Sequence, residues 1–159
     1  MGRLITALAA GFMLAATFTS NAFAAGSTRG EGYLSNAEVV DQDGRRLKFF
    51  DDVLKNQIVV INFVFTHCGD ICPLSTARLN VAKEKLAAMG RTDIRFISIT
   101  VDPERDTPAR MKAMAEAYNT GSNWLMLTGE PEVIRAINAK LGDRSTHPSQ
   151  HRMEVVLGN

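Results

Sequence analysis

The chain has no excess of charge of either sign. It carries 18 Lys and Arg residues against 17 Asp and Glu residues over a length of 159. Proteins that bind nucleic acid through its phosphates need a basic patch or stripe, so the sequence argues against nucleic acid as a partner. Hydrophobic residues make up 45% and charged residues 22% of the chain, which is typical of a globular protein with one core at this length.

The longest stretch without charge lies at the N-terminus. Arg3 precedes a mostly apolar run over residues 4–18, and a short polar stretch then leads to Ala22-Phe23-Ala24. This order is typical of a secretory signal peptide, here residues 1–24, which implies an exported, periplasmic protein. The alternative is an uncleaved inner-membrane anchor in residues 4–25 that faces the periplasm. Residues 25–36 are predicted to form a flexible linker, because most of them are small or polar.

Strand and helix patterns alternate over residues 37–159. Asp41-Gln42-Asp43-Gly44 predicts a hairpin turn between residues 38–40 and 47–50, with a short helical turn at 51–55. Strands are then predicted at 58–65, 93–101, 124–127 and 153–157, and helices begin at Pro73, Pro108 and Pro131. This order predicts an α/β sheet with helices on both faces. Because a cysteine pair stands at the first long strand-to-helix junction, the pattern favours a thioredoxin-like fold.

Cysteine is scarce: Cys68 and Cys72 are the only two. At the start of a helix a thiolate is favoured by the helix dipole, and positions i and i+4 lie on the same face. The pair can therefore hold one metal ion or close a small disulfide. A purely structural disulfide would suit an exported protein, but so short a ring adds little stability.

Histidine is equally scarce, and a metal bound by two thiolates needs a third ligand. His67 adjoins Cys68, and neighbours on an extended backbone point in opposite directions, which places His67 poorly. His147 lies in a polar loop, where a solvent-exposed imidazole is the common outcome. His151 precedes the last predicted strand, from which a loop can reach the helix N-terminus. The residues alone leave His147 and His151 open.

The donor types favour copper. Two soft thiolates and one imidazole in a low-coordinate site suit Cu(I), whereas zinc usually takes a fourth ligand. The methionines do not indicate a Met-rich copper site, since most lie in the N-terminal segment or on predicted helix stripes. Three acidic residues are expected near the cysteine pair, either to tune it or to cap helices and solvate loops: Asp70, Asp102 and Asp106.

Several stretches of the sequence resemble the Sco/SenC family of thioredoxin-like copper metallochaperones. They are NFVFTHCGDICP at residues 62–73, TVDPERDTP at 100–108 and WLMLTG at 124–129. DQDG at 41–44 is similar to the family's opening hairpin, and the similarity runs from about residue 37 to residue 159. The resemblance implies a thioredoxin-like Sco/SenC domain over residues 37–159 and a role in the assembly of cytochrome c oxidase.

The resemblance also implies a copper site made by Cys68, Cys72 and a histidine before the last strand, and His151 matches that histidine better than His147. It implies binding of Cu(I) and of Cu(II), and delivery of copper to the CuA centre of oxidase subunit II or to another periplasmic copper or thiol protein. In some family members the cysteines also act as a reductant, and here they would form a redox-active disulfide pair.

Two features depart from the family pattern. Gln150 and Arg152 flank the histidine where the family has Asp and a Ser or Thr, and the charge of Arg152 disfavours Cu(II). The chain ends at Asn159, where family members continue through a further strand and helix, so we expect either an uncovered sheet edge or a domain truncated at its C-terminal end. The alternative function is a thiol–disulfide oxidoreductase, in which Cys68 attacks a periplasmic partner's cysteines and Cys72 resolves the mixed disulfide.

Overall fold

A six-stranded mixed sheet forms the centre of the computed structural model, which describes residues 32–67 and 71–158, with the backbone alone for residues 71–73. The strand order is β2-β1-β5-β4-β3-β6. The strands are β1 Glu38–Asp41, β2 Arg46–Lys48, β3 Ile58–Val64, β4 Ile94–Thr100, β5 Trp124–Thr128 and β6 Val156–Gly158. The helices are α1 Ile71–Ala88, α2 Pro108–Ala117 and α3 Pro131–Lys140, with a π-helical turn Phe49–Leu54 and a 3₁₀ turn Pro148–Gln150.

The middle of the sheet is parallel and buried on both faces. β3 pairs with β4 from Ile58↔Ile94 to Val64↔Thr100, and β4 pairs with β5 in parallel. Continuous β-branched and aromatic runs suit strands covered on both sides. The predicted α/β class is therefore confirmed, and β3 ends four residues before Cys68 in the sequence.

Helices cover both faces, as predicted. On one face, Phe96, Trp124 and Met126 pack with Met111 of α2 and with partly buried residues of α1. On the other face, Ile97, Ile99 and Leu127 pack with Ile134 and Ile137 of α3 and with the π-helical turn. α2 begins as predicted, since the Thr107 hydroxyl accepts a hydrogen bond from the Arg110 N–H and Pro108 occupies the first helical position,.

The predicted hairpin is present at the edge of the sheet, where β1 and β2 pair antiparallel. The fully buried Asp41 side chain holds the turn, because its Oδ1 accepts the N–H groups of Asp43 and Arg45 at 2.9 Å. Gly44 adopts a φ of 78°, which a residue without a side chain takes up at little cost. β1 also pairs antiparallel with β5, which joins the hairpin to the parallel strands.

The last strand is shorter than predicted. The sequence predicts a strand over residues 153–157, whereas β6 spans Val156–Gly158 and pairs antiparallel with β3 through Ile61↔Val156. Met153 and Val155 are exposed, at 63% and 41%, so their apolar character does not place them in the core. An alternating pattern alone does not tell a strand from an extended segment that runs beside the sheet.

The end of the predicted linker packs on the domain. The Tyr33 hydroxyl donates to the Lys140 carbonyl oxygen at 3.2 Å, and the Lys140 ammonium donates to the Tyr33 carbonyl oxygen at 2.6 Å. Leu34 packs against the core on the α3 face. The prediction of a signal peptide at residues 1–24 lies outside the described residues. Within residues 32–67 and 71–158, no helix has the length and apolarity needed to cross a bilayer.

Candidate metal centre

The three predicted donors differ in how far the structure describes them. Cys68 lies outside the described residues. Cys72 belongs to the first turn of α1, which begins at Ile71, and its side chain is not described. His151 follows the 3₁₀ turn Pro148–Gln150, and its imidazole is half-buried. Among the side chains that are described, no three from His, Cys, Asp and Glu come together in a metal-binding group.

The His151 imidazole packs on the strand that leads to Cys68. Its ring lies edge-on against the Phe65 ring, with centroids 5.6 Å apart and planes at 83°. Such T-shaped pairs contribute about 0.5–1.5 kcal/mol beyond the burial of area. Phe65 directly follows β3 and stands three residues before Cys68. The tertiary structure therefore brings the imidazole of His151 to the end of the sheet at which the cysteine motif begins.

The ring nitrogens of His151 have different roles. Nδ1 lies 2.8 Å from the Arg152 carbonyl oxygen, and a carbonyl oxygen only accepts, so Nδ1 carries the proton in the neutral ring. The lone pair then lies on Nε2. In metalloproteins a ligating histidine commonly donates its second N–H to a backbone carbonyl or a carboxylate, which fixes the tautomer. His151 has this arrangement.

Asp143 holds the segment after His151. Its carboxylate is 3% exposed, and its Oδ2 accepts the Arg152 N–H at 3.1 Å. Its Oδ1 accepts the N–H and the hydroxyl of Ser145 at 2.9 and 2.6 Å. One buried carboxylate therefore joins the loop after α3 to the residue that follows the predicted ligand.

The charge of Arg152 is neutralised within its own segment. Its guanidinium forms an ion pair with Glu154 and donates to the Gly142 carbonyl oxygen at 3.2 Å. Gly142 has a φ of 101° and leaves room for that guanidinium. Sequence reasoning treated Arg152 as a positive charge beside the metal, and Glu154 offsets that charge.

A second buried carboxylate holds the corner before Cys68. Asp106 is fully buried, and both of its oxygens lie 3.2 Å from the Thr66 nitrogen, whose N–H donates to them. The Thr66 hydroxyl donates to Oδ1 at 2.5 Å and the Thr100 hydroxyl donates to Oδ2 at 2.6 Å. β3 ends at Val64 rather than at the predicted Phe65, and two residues beyond it the Thr66 N–H bonds to this carboxylate instead of a neighbouring strand.

His67 faces α2. Arg110 Nη1 lies 2.9 Å from His67 Nε2, and a guanidinium only donates, so Nε2 is the acceptor,. Nδ1 lies 3.3 Å from the Thr66 hydroxyl oxygen, to which it donates because that hydroxyl gives its proton to Asp106. Both ring nitrogens of His67 therefore have hydrogen-bond partners within the protein.

His147 is exposed and caps the 3₁₀ turn that follows it. Its Nδ1 accepts the Ser149 N–H at 3.3 Å and lies 2.8 Å from the Ser149 hydroxyl. The lone pair of Nδ1 is therefore used within the loop. This local role accounts for His147 without a metal.

The loop from β4 to α2 is also tied to α3. Glu104 accepts a hydrogen bond from Arg135 at 2.5 Å, and this contact lowers the pKa of the Glu104 carboxyl. The Asn138 side-chain amide donates to the Thr100 carbonyl oxygen at 2.9 Å. The loop that carries Asp106 is thus also held by α3, which lies on the face of the sheet opposite to α2.

Sequence reasoning named Asp106 as a tuning or capping residue, but it missed Phe65 and Asp143. The spacing of Asp143 and Ser145 is a signal for a local turn, which the structure contains. The contact of Phe65 with His151 has no local signal because it joins residues that are distant in the chain. The contact of Asp143 with Arg152 spans nine residues, which is beyond the reach of a turn pattern. Of the other two acidic candidates, Asp102 is buried and forms an ion pair with Arg105 at 3.8 Å, and Asp70 lies outside the described residues.

Comparison with known proteins gives consistent matches. A family model described as SCO1/SenC matches residues 28–152. The chain is 39% identical over 90 residues to the SCO1 protein homolog of Bacillus subtilis. The aligned residues cover 56% of this chain and 45% of that protein. The chain spans about half the length of curated relatives such as this one.

Two solved structures show the same fold. The copper-bound ScoI of Arabidopsis thaliana is 30% identical, with a TM-score of 0.58 over 65% of this chain and 63% of that chain. BsSco, described as a member of the Sco family of cytochrome c oxidase assembly proteins, is 34% identical, with a TM-score of 0.58 over 67% of this chain and 61% of that chain. The predicted thioredoxin-like fold is confirmed by this likeness.

Proposed function

Because the chain belongs to the SCO1/SenC family, we propose that it is a copper metallochaperone that binds copper through Cys68, Cys72 and His151. We propose that it delivers the copper to the CuA centre of cytochrome c oxidase. The observation that carries this proposal is the position of the His151 ring, edge-on against Phe65 at the end of the strand that leads to Cys68.

The donor chemistry fits the cargo. Two thiolates are soft donors that select Cu(I) over harder ions, and an imidazole nitrogen also suits copper. The Nδ1–H of His151 is engaged by the Arg152 carbonyl, so the copper would be bound through Nε2. With only three donors the site leaves space for an incoming thiolate. Transfer then proceeds by exchange of ligands, in which an acceptor thiolate binds before a donor leaves and the copper keeps its oxidation state.

The test is a Cu(I) titration of the reduced full chain, followed by X-ray absorption to count sulfur and nitrogen neighbours. We expect one copper per chain with two sulfurs and one nitrogen. In His151→Ala the nitrogen should disappear and the affinity should fall by more than about 100-fold, since a lost ligand costs more than a lost outer partner. His147→Ala, which removes an exposed imidazole from the same loop, should keep the wild-type affinity.

Equal affinity in His151→Ala and His147→Ala would contradict the proposed ligand set. A second readout separates the oxidoreductase alternative. If the chain reduces a partner's disulfide faster than free dithiothreitol does, and His151→Ala keeps that rate, the cysteines act as a redox pair without the histidine. The proposal predicts no such rate, together with copper transfer to an apo CuA domain.

We further propose that residues 1–24 act as an export signal and that residues 37–159 carry the function in the periplasm. An uncleaved anchor in residues 4–25 would leave the protein on the membrane. Determination of the N-terminus of the protein recovered from the periplasm distinguishes the two. A mature chain that begins at Ala25 supports cleavage, and an intact Met1 in the membrane fraction supports the anchor.

A further inference from the structure

Asp106 is a carboxylate buried at a cost. Its side chain is fully buried, and a buried charge is unfavourable unless it is paired or well hydrogen-bonded. The compensation comes from the Thr66 N–H and from the hydroxyls of Thr66 and Thr100. A neutral side chain would avoid the desolvation cost, but hydrogen bonds to an ionised acceptor are shorter and roughly twice as strong.

The donors of these bonds share one location. Thr66 follows β3 and Thr100 ends β4, so both lie at the carboxyl edge of the parallel strands, where ligand sites of open α/β sheets occur. Thr66 stands two residues before Cys68. The same carboxylate lies 4.0 Å from the Nδ1 atom of His67, the residue that adjoins Cys68.

Asp41 provides a matched comparison within the same chain. It is also fully buried, and it accepts the N–H groups of Asp43 and Arg45 and the Arg45 guanidinium, the last at 2.7 Å. Its bonds close the turn of the hairpin at the edge of the sheet. The two carboxylates thus do similar structural work, but only Asp106 holds the backbone next to the cysteine motif.

We propose that Asp106 is a positioning residue of the copper centre, which sets the direction in which the chain leaves β3 and so the placement of Cys68. This inference rests on the proposed copper function. Asp106 acts through Thr66 and needs no contact with the metal.

The first test compares Asp106→Asn with Asp41→Asn in the full chain. An amide presents a donor where the Thr66 and Thr100 groups also donate, so at least one bond is lost. We expect Cu(I) affinity to fall about 10-fold in Asp106→Asn, the lower end of the range for outer-shell changes, with altered Cu(II) electron paramagnetic resonance parameters. Asp41→Asn should lower the melting temperature and keep the affinity and the spectrum of the wild type.

A milder pair keeps the test decisive if Asp106→Asn does not fold. Thr66→Val removes the hydroxyl that bonds to Asp106, and Thr66→Ser retains it. Thr66 is half-buried, so both variants should fold. The valine variant should show the altered copper spectrum and the serine variant should restore it. Wild-type affinity and spectrum in both Asp106→Asn and Thr66→Val would overturn the inference.

A metal-free measurement separates this inference from the proposed function. The rate at which iodoacetamide alkylates the reduced cysteines should change at least about 3-fold in Asp106→Asn and Thr66→Val, and not in Asp41→Asn or Thr66→Ser. If the wild type binds no copper, the proposed function fails, and these rates still decide the role of Asp106. Wild-type rates in both altered variants would reject it.

Discussion

The two segments that would supply the metal donors are held in different ways. The corner before Cys68 continues β3, an inner strand whose seven residues pair with β4, and the fully buried Asp106 accepts hydrogen bonds from Thr66 of this corner. The segment around His151 is a loop whose contacts with the domain include the Arg152 N–H bond to Asp143, the Arg152 guanidinium bond to Gly142 and the ring contact with Phe65. Met153 and Val155 beside it are exposed. The segment that leads to Cys68 is therefore a direct continuation of a paired strand, whereas the His151 segment is a loop held by side-chain contacts.

Under the proposed copper-transfer function, this difference suits a site that first holds an ion and then releases it. A low local stability is characteristic of segments that move during binding. If copper leaves by exchange of ligands, His151 can move away first, because its loop is less strongly attached than the segment that continues β3.

Hydrogen exchange of the metal-free protein should show the largest contrast. The Val101 N–H, bonded to the Val64 carbonyl at 2.9 Å beside β3, should exchange at least about 1,000-fold more slowly than the Arg152 N–H. Core amides open only with most of the global free energy of unfolding, whereas loop amides open locally. Nuclear magnetic resonance exchange rates measure both amides. Similar protection of the two would remove the distinction between the segment that continues β3 and the loop around His151.

Weakening the attachment of the loop around His151 should weaken copper binding. In Asp143→Asn, an amide NH₂ replaces one carboxylate oxygen, so at least one of the donors of Ser145 and Arg152 loses its acceptor. This loss should lower the free energy of unfolding by about 1–2 kcal/mol. Copper affinity should fall about 10-fold. Ser145→Ala removes a bond to the other carboxylate oxygen and leaves the bond to Arg152, so its affinity should stay near that of the wild type. Equal losses in the two variants would mean that the contact with Arg152 does not position His151.

Removal of the ring contact should have a smaller effect. Phe65→Leu keeps an apolar side chain but loses the aromatic pair with His151. Copper affinity should fall about 3-fold, which corresponds to the lower part of the free-energy range for aromatic pairs. Phe65→Tyr retains the ring and serves as the control. Calorimetric titration with Cu(I) in competition with a chelator of known affinity measures both. A loss in the tyrosine variant as large as in the leucine variant would implicate packing other than the aromatic contact.

The smallest effect concerns the loop that carries Asp106. Arg135 lowers the pKa of Glu104 from its ordinary value of 4.5. A carboxyl whose pKa is lower in the folded than in the unfolded protein stabilises the fold at a pH above the pKa of the unfolded state. This stabilisation is lost as the pH falls through the pKa of the folded state. Glu104→Gln should therefore cost less than about 1 kcal/mol at pH 7, since the pair is half exposed, and the difference should vanish well below pH 4.5. Urea unfolding at pH 7 and pH 3 measures it.

Much of the fold could be predicted from local patterns. The β-branched run of β3, the Thr107-Pro108 start of α2 and the hairpin turn at Asp41 each depend on residues within a few positions of one another, and each prediction is confirmed. The last strand was mispredicted because exposed Met153 and Val155 have the same apolar alternation as a buried strand. The local pattern carries no information on which side of the chain is covered.

The sequence by itself determined the alternation of strands and helices and the position of the cysteine motif at the end of a buried strand. Only the tertiary structure decided that β6 lies beside β3, that the His151 ring contacts the Phe65 ring, and that Asp106 accepts a hydrogen bond from Thr66. The physical reason is distance along the chain. Helical and strand periods are set by neighbouring residues. Burial and contacts such as those of His151 with Phe65 and of His67 with Arg110 depend on groups far away in the chain, 43 residues in the second case.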